Sequence, residues 1–103
     1  MSAEPAFTDV PSFRCDLLAV VAREEPVNGL VAKRALETAY EDTINNGRLY
    51  RHLDALVEAQ YLQKRKLDRR TNEYSVTDSG REALADQISW LESCLTDGNS
   101  VSE

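Results

Sequence analysis

The sequence has little lysine, little cysteine and no long apolar segment, and each shortage excludes a class of protein. The longest apolar run, residues 17–22, has six residues, whereas a membrane-spanning helix needs about 20. Cys15 and Cys94 are too far apart to form a disulfide framework or a metal-ligand spacing. The first residues lack the basic and apolar regions of a secretory signal. We therefore expect a cytoplasmic protein without a membrane partner.

Basic residues are outnumbered, at 12 against 18 acidic ones, and only three of the 12 are lysine. Scarce lysine, excess carboxylates and 11 alanines are typical of a protein from a halophilic cytoplasm, although an ordinary acidic protein can share this bias. The net charge of −6 argues against a nucleic-acid partner, because polyphosphate repels a negative chain. A length of 103 residues corresponds to one domain.

The segments that are present predict a mainly α fold with a small β-hairpin wing, in the α+β class. Apolar residues recur at helical spacing in three successive segments, two strand-like segments follow, and a fourth helical segment comes last. This order indicates a winged helix-turn-helix with an additional C-terminal helix. The predicted ranges are an arm at 1–11, a domain at 12–95, and a flexible tail at 96–103. Within the domain we predict helices at 12–25, 28–40, about 45–60 and 77–95, strands at 61–68 and 73–77, and a wing tip at about 68–72.

The fourth helix carries a second apolar stripe that the winged unit does not need. Leu84, Ile88, Leu91 and Leu95 recur at spacings of four, three and four residues. That spacing is typical of a helix that pairs with another helix. We therefore predict a dimerisation helix.

The distribution of charge reverses the conclusion drawn from the whole chain. Residues 48–70 carry seven basic and three acidic side chains, for a net charge of +4. Residues 27–81 sum to +2, and the remainder of the chain sums to −8. A basic third helix and wing within an acidic chain are typical of a protein that binds DNA through one face.

Three segments resemble the PadR-like transcriptional regulators over about residues 16–90: VNGLVAKRALE, NNGRLYRHLDALVEAQYLQKR and DRRTNEYSVTDSGREAL. The Gly-x-Leu-Tyr motif of that family matches Gly47 to Tyr50. The turn after the third helix departs from the pattern, since Ala59 to Leu62 stand where many relatives have a glycine. The residues of these segments and the acidic composition are most similar to haloarchaeal members of the family, which include a reactive-oxygen-responsive stress regulator.

The resemblance implies a homodimeric, sequence-specific DNA-binding regulator in the short form of the family, without a second domain. It implies that the first and fourth helices build the dimer, and that two third helices about 34 Å apart read a palindromic operator in double-stranded DNA. The expected dimer residues are Leu17, Leu84, Ile88, Leu91 and Leu95.

The third helix is expected to enter the major groove of DNA, which is about 12 Å wide. Arg48, Arg51 and His52 are expected to face base edges, because arginine pairs bidentately with guanine. Tyr50 is expected to reach a phosphate through its hydroxyl. The other expected DNA contacts are Asn45 and Asn46 at the helix start, Arg69, Arg70, Thr71 and Asn72 at the wing, and Lys33 and Arg34 on the second helix.

Several alternatives remain open at this point. The fold could serve as a protein-binding module without DNA binding. The two cysteines, Cys15 and Cys94, are either inert packing residues or a redox switch. Carboxylates near the DNA could hold salt cations or accompany bound anions, so that binding tolerates high salt. A single histidine and no glycine-rich phosphate loop argue against an enzyme, a cofactor or a metal site.

Overall fold

The computed structural model describes residues 12–100, with side chains through residue 96. The predicted arm, residues 1–11, lies outside the described residues, as do residues 101–103. Four helices and three strands make up the described part, which confirms the predicted α+β winged helix. They are α1 (Ser12–Glu24), β1 (Val27–Asn28), α2 (Gly29–Tyr40), α3 (Asn46–Glu58), β2 (Leu62–Lys66), β3 (Asn72–Val76) and α4 (Asp78–Ser100).

Asparagine side chains begin the two central helices. The Asn28 Oδ1 accepts a hydrogen bond of 2.9 Å from the Val31 amide at the start of α2. Asn45 does the same for α3, accepting 3.0 Å from the Arg48 amide. An N-cap of this kind satisfies a backbone donor that the helix itself leaves unpaired. These caps fix where α3 begins relative to α2.

The end of α3 is a tight turn that favours glycine but contains Gln60. The Gln60 amide donates to the Val57 carbonyl at 2.9 Å, and the Tyr61 amide donates to the Leu56 carbonyl at 3.0 Å. This Schellman arrangement requires a left-handed residue, and Gln60 has φ 68°. Gln60 therefore adopts the strained conformation that glycine adopts without cost.

The sheet is antiparallel with strand order β1-β3-β2. In the hairpin, Leu62 pairs with Val76 and Lys66 pairs with Asn72. Asp68 holds the wing turn, since its Oδ1 accepts hydrogen bonds of 2.9 Å from the amides of Arg70 and Thr71. These backbone hydrogen bonds, that of Arg70 first, lower the pKa of Asp68.

The core lies between α1, α3 and the inner face of the sheet, and includes Leu18, Leu53 and Tyr74. Leu17 belongs to this core as well, because it is fully buried within its own chain. Its predicted place in the dimer interface is therefore wrong: the apolar stripe of α1 packs inside the domain.

Helix α4 is longer than the sequence predicted. It continues to Ser100, five residues beyond the predicted end at Leu95, and so includes the first five residues of the predicted tail. The segment contains no proline to stop the helix. Among the residues that the structure describes, no helix combines the length and apolar character required to cross a membrane.

Candidate nucleic-acid interface

Helix α3 separates core residues from an outward face. Leu49, Leu53 and Leu56 are buried against the domain. Gly47, Arg51, Asp54 and Glu58 lie on the opposite side of the helix and are exposed. The structure thus places Arg51, one of the predicted base-reading residues, at the centre of the exposed face.

His52 does not lie on that face. It is 7% exposed, and its Nδ1 accepts a hydrogen bond of 2.7 Å from the Arg14 Nε on α1. Its ring centroid lies 4.9 Å from that of Phe13. Burial, and then the charges of three arginines, Arg14, Arg51 and Arg48, lower the pKa of His52. The prediction that His52 faces base edges is wrong, because position 52 falls on the core side of α3.

Arg48 is exposed, but it leans toward α1. Its guanidinium carbon lies 4.1 Å from the centroid of the Phe13 ring, a cation–π geometry. Phe13 also contacts Tyr40 edge to face at 6.2 Å, and the Tyr40 hydroxyl donates to the Asp16 Oδ2 at 2.5 Å. Burial and this hydrogen bond raise the pKa of Tyr40 to about 12. This cluster lies along the side of α3 that faces α1.

The other flank of α3 opens onto a cleft of about 380 Å³ between α3, the start of α2 and the wing. The Tyr50 ring lies against the first residue of α2: a Cβ at Gly29 would come within 2.6 Å of the Tyr50 hydroxyl. Only glycine therefore allows this approach. The cleft brings together several predicted DNA contacts; its lining residues are Asn28, Gly29, Leu30, Asn46, Tyr50, Arg70, Thr71, Asn72 and Tyr74.

Strand β2 divides its basic residues between two faces. Lys64 pairs with Tyr74 and Lys66 with Asn72, so both lysines share the sheet face that turns toward α3. Arg65 lies on the other face, where its guanidinium is 3.9 Å from the Glu73 carboxylate. The sequence predictions omitted Lys64 and Lys66, although alternation from the buried Leu62 would have placed them.

The remaining predicted contacts differ in how far they are already engaged. Lys33 lies 3.6 Å from the Glu37 carboxylate, whereas Arg34 and Arg69 are exposed. The Asn45 Oδ1 is occupied by its capping hydrogen bond. The cleft lining includes five residues of the predicted set, and Arg34, Lys33 and Arg69 are not among them; the five are Asn46, Tyr50, Arg70, Thr71 and Asn72.

The two cysteines occupy different environments. Cys15 is partly buried on α1, and burial followed by the Asp16 charge raises the pKa of its thiol. A raised pKa lowers the fraction of thiolate, which is the reactive form. Cys94 is exposed on α4. In the part of the chain that the structure describes, no three His, Cys, Asp or Glu residues come together as a metal site.

Helix α4 presents a second candidate interface. Leu84 is partly buried against the core. Beyond it, Ile88, Leu91 and Leu95 are 54%, 50% and 76% exposed, and Trp90 is exposed beside them. Large apolar side chains exposed in a row are a feature of interaction surfaces.

The sequence model of the PadR-like family of transcriptional regulators matches residues 17–86. The chain belongs to this family. This confirms the resemblance predicted from the sequence: a PadR-like chain is a DNA-binding transcriptional regulator and not an enzyme. No curated protein sequence matches the chain.

Solved structures of PadR-like relatives agree with the fold. RosR from H. salinarum is 34% identical with a TM-score of 0.77, and the match covers 92% of this chain and 98% of RosR. A complex structure, RosR-S4, is 34% identical with a TM-score of 0.78, covering 99% and 100%. A PadR-like transcription factor from Bacteroides fragilis is 16% identical with a TM-score of 0.77, covering 87% and 89%, and supports the fold alone.

Proposed function

We propose that two copies of this chain bind a palindromic DNA operator, each with α3 in the major groove and the wing over the adjacent backbone and minor groove. One observation carries the proposal: the cleft between α3 and the wing gathers Asn46, Tyr50 and Arg70 on one side of the domain. Lys64 and Lys66 share the face that turns toward α3. Hydrogen-bond donors and positive charge thus converge beside an exposed helix.

Arg51 is the main candidate for reading bases. It lies on the face of α3 opposite the buried leucines, and the major groove admits a helix in this orientation. A bidentate contact from arginine to guanine contributes about 1–3 kcal/mol of discrimination. Arg48 reaches bases only when its guanidinium leaves the Phe13 ring, so we assign it a secondary role. Asp54, also exposed on α3, can accept a hydrogen bond from cytosine.

The cleft and the wing supply contacts to the DNA backbone. Tyr50 presents its hydroxyl at the start of α2, and Arg70 lies across the cleft from it. Lys64 and Lys66 add positive charge on the sheet face that turns toward α3, and all of these side chains suit contacts to phosphates. The exposed Arg69 at the wing tip suits the minor groove.

The dimer forms through α4. Ile88, Leu91 and Leu95 extend beyond the core of their own chain, and pairing them with the same residues of a second copy removes their apolar surface from water. Two recognition helices then read half-sites about one helical turn, 34–36 Å, apart. RosR, the relative that is 34–35% identical, has been solved in complexes designated RosR-S1 and RosR-SG.

Fluorescence anisotropy with operator duplexes selected from genomic DNA tests the proposal. Arg51→Ala should bind the selected operator about 10-fold to 100-fold more weakly for each half-site and should lose preference at one base pair in each half-site. Arg70→Ala should weaken binding to all sequences and reduce the slope of log affinity against log salt by about two, one for each copy in the dimer. Arg23→Ala is the matched control, since it removes one charge from the exposed end of α1. Unchanged operator preference in Arg51→Ala would contradict the assignment of α3.

A further inference from the structure

Hydrogen bonds join the beginning of α4 to the turn that follows α3. The Thr77 hydroxyl donates to the Gln60 carbonyl at 2.7 Å, and the Thr77 amide donates to the Tyr61 carbonyl at 3.1 Å. The same hydroxyl oxygen accepts from the Gly80 amide at 3.0 Å and so caps α4. Gln60 and Tyr61 lie just after the end of α3, so Thr77 links the first turn of α4 to the turn that follows α3.

The two chain segments approach each other closely at this joint. A Cβ at Gly80 would lie 2.3 Å from the Tyr61 carbonyl oxygen, so the backbone of α4 rests directly on the chain that leaves α3. The Ser79 hydroxyl adds a hydrogen bond of 3.3 Å to the Gln60 carbonyl. The angle between the two helices is therefore held by side-chain hydrogen bonds in addition to the backbone contact at Gly80.

Glu25, just after α1, makes a second set of contacts with the start of α4. Its Oε1 accepts a hydrogen bond of 2.8 Å from the Val76 amide of β3. Its Oε2 pairs with the guanidinium of Arg81 on α4. One carboxylate thus joins α1, the wing strand and α4, and the start of α4 is held from two sides.

A small rotation at this joint moves the DNA-reading helix by a base pair. From Thr77 to Leu91, at the middle of the exposed apolar stripe, α4 rises about 21 Å at about 1.5 Å per residue. Over that length a tilt of about 10° displaces the winged-helix body by about 3.6 Å, close to the rise of about 3.4 Å per base pair. The joint therefore controls the distance between the two recognition helices of a dimer.

We propose that Thr77 and Glu25 are positioning residues that fix the angle between α4 and α3 and thereby determine which half-site spacing the dimer accepts. This inference rests on the proposed function, because it needs a dimer that reads two half-sites. It assigns to these residues a role in operator specificity that does not depend on their own contact with DNA.

The experiment uses the full chain and palindromes that share one half-site sequence but differ in spacer length by one base pair. Thr77→Asp keeps an acceptor for the Gly80 amide but has no hydroxyl proton for the Gln60 carbonyl. Glu25→Gln keeps an acceptor for Val76 but loses the ion pair with Arg81. Thr77→Ser retains both functions. Thr38→Asp is the matched control, since the Thr38 hydroxyl bonds only the Arg34 carbonyl of its own helix.

The wild-type protein should bind the palindrome of one spacer length with about tenfold higher affinity than palindromes one base pair shorter or longer. Thr77→Asp and Glu25→Gln should bind a single half-site as wild type does, while their spacing preference falls below about threefold. Thr77→Ser and Thr38→Asp should keep the wild-type preference. Thermal denaturation identifies any variant that does not fold, and if Thr77→Asp fails to fold, Glu25→Gln decides the outcome.

Two other results overturn the inference and are distinguishable from each other. If both variants lose affinity equally at every spacing, or keep the wild-type preference, Thr77 and Glu25 do not act as positioning residues. If wild type itself binds no palindrome better than an unrelated duplex, the proposed function fails and the inference fails with it.

Discussion

The winged-helix body and the distal half of α4 contain the same kinds of apolar residue but differ in what covers them. In α3, Leu53 and Leu56 are buried by other elements of the same chain. In α4, Leu91 and Leu95 follow an equally regular spacing and remain exposed. Within a protein, a helix gains most of its stability from packing its apolar face against other elements. The body therefore folds on its own contacts, whereas in the proposed dimer the distal α4 packs against a second chain.

Leu53→Ala should produce the largest effect, because it removes a fully buried side chain from the core. We expect the free energy of unfolding to fall by about 2–5 kcal/mol, from lost burial and the cavity that remains. Leu95→Ala, the same change in the distal α4, should cost less than about 0.5 kcal/mol at concentrations where the chain is monomeric. Urea denaturation of both variants measures the difference. Equal losses would show that the two regions do not differ as the structure indicates.

Leu91→Glu should come next and should act on assembly instead of folding. A charge within the exposed stripe costs desolvation only when two chains pair, so we expect the dimer to weaken at least tenfold, or about 1.4 kcal/mol. The unfolding free energy of the monomer should stay within about 0.5 kcal/mol of wild type. Sedimentation equilibrium measures the dimer constant. Ser89→Glu, on the opposite side of α4, is the matched control, and a wild-type dimer constant in Leu91→Glu would contradict the proposed interface.

The same comparison explains which parts of the fold the sequence predicts. Helical periodicity locates the apolar stripes of α1, α3 and α4. The sequence offers Thr43 or Asn45 as the cap that begins α3, and the structure has Asn45. Periodicity does not tell which neighbour covers a stripe. The family resemblance implies a dimer contact for Leu17, whereas its own chain buries it. The two-residue strand β1 is too short to show alternation, and only its pairing with β3 reveals it.

The candidate site shows a similar limit. Charge by segment identifies α3 and the wing as the basic elements, but it does not divide their side chains among faces. His52 adjoins Arg51 in the sequence yet lies on the core side, where Arg14 from a distant segment binds it. Lys64 and Lys66 share a face, while the intervening Arg65 pairs with Glu73. Alternation along β2 separates Lys64 and Lys66 from Arg65. Single-sequence patterns do not identify the tertiary partners, which are Arg14 for His52 and Glu73 for Arg65.

Gln60→Gly should have the smallest effect on the free energy of unfolding. It tests whether the backbone conformation after α3 destabilises the winged-helix body. Gln60 holds a left-handed φ of 68°, which costs a non-glycine residue about 1–2 kcal/mol. Glycine removes this cost but adds about 0.5–1 kcal/mol of conformational entropy to the unfolded chain. We therefore expect a net gain of about 0.5 kcal/mol in unfolding free energy. Gln63→Gly, in the exposed strand β2, should have the opposite sign, because that position gains entropy in the unfolded state without relief of strain. Urea denaturation of the two variants side by side gives the answer. A loss of stability in both variants would mean that the side chain of Gln60 contributes more than its backbone conformation costs. The dimer constant should be unchanged in both variants, because neither residue lies on the exposed apolar stripe of α4.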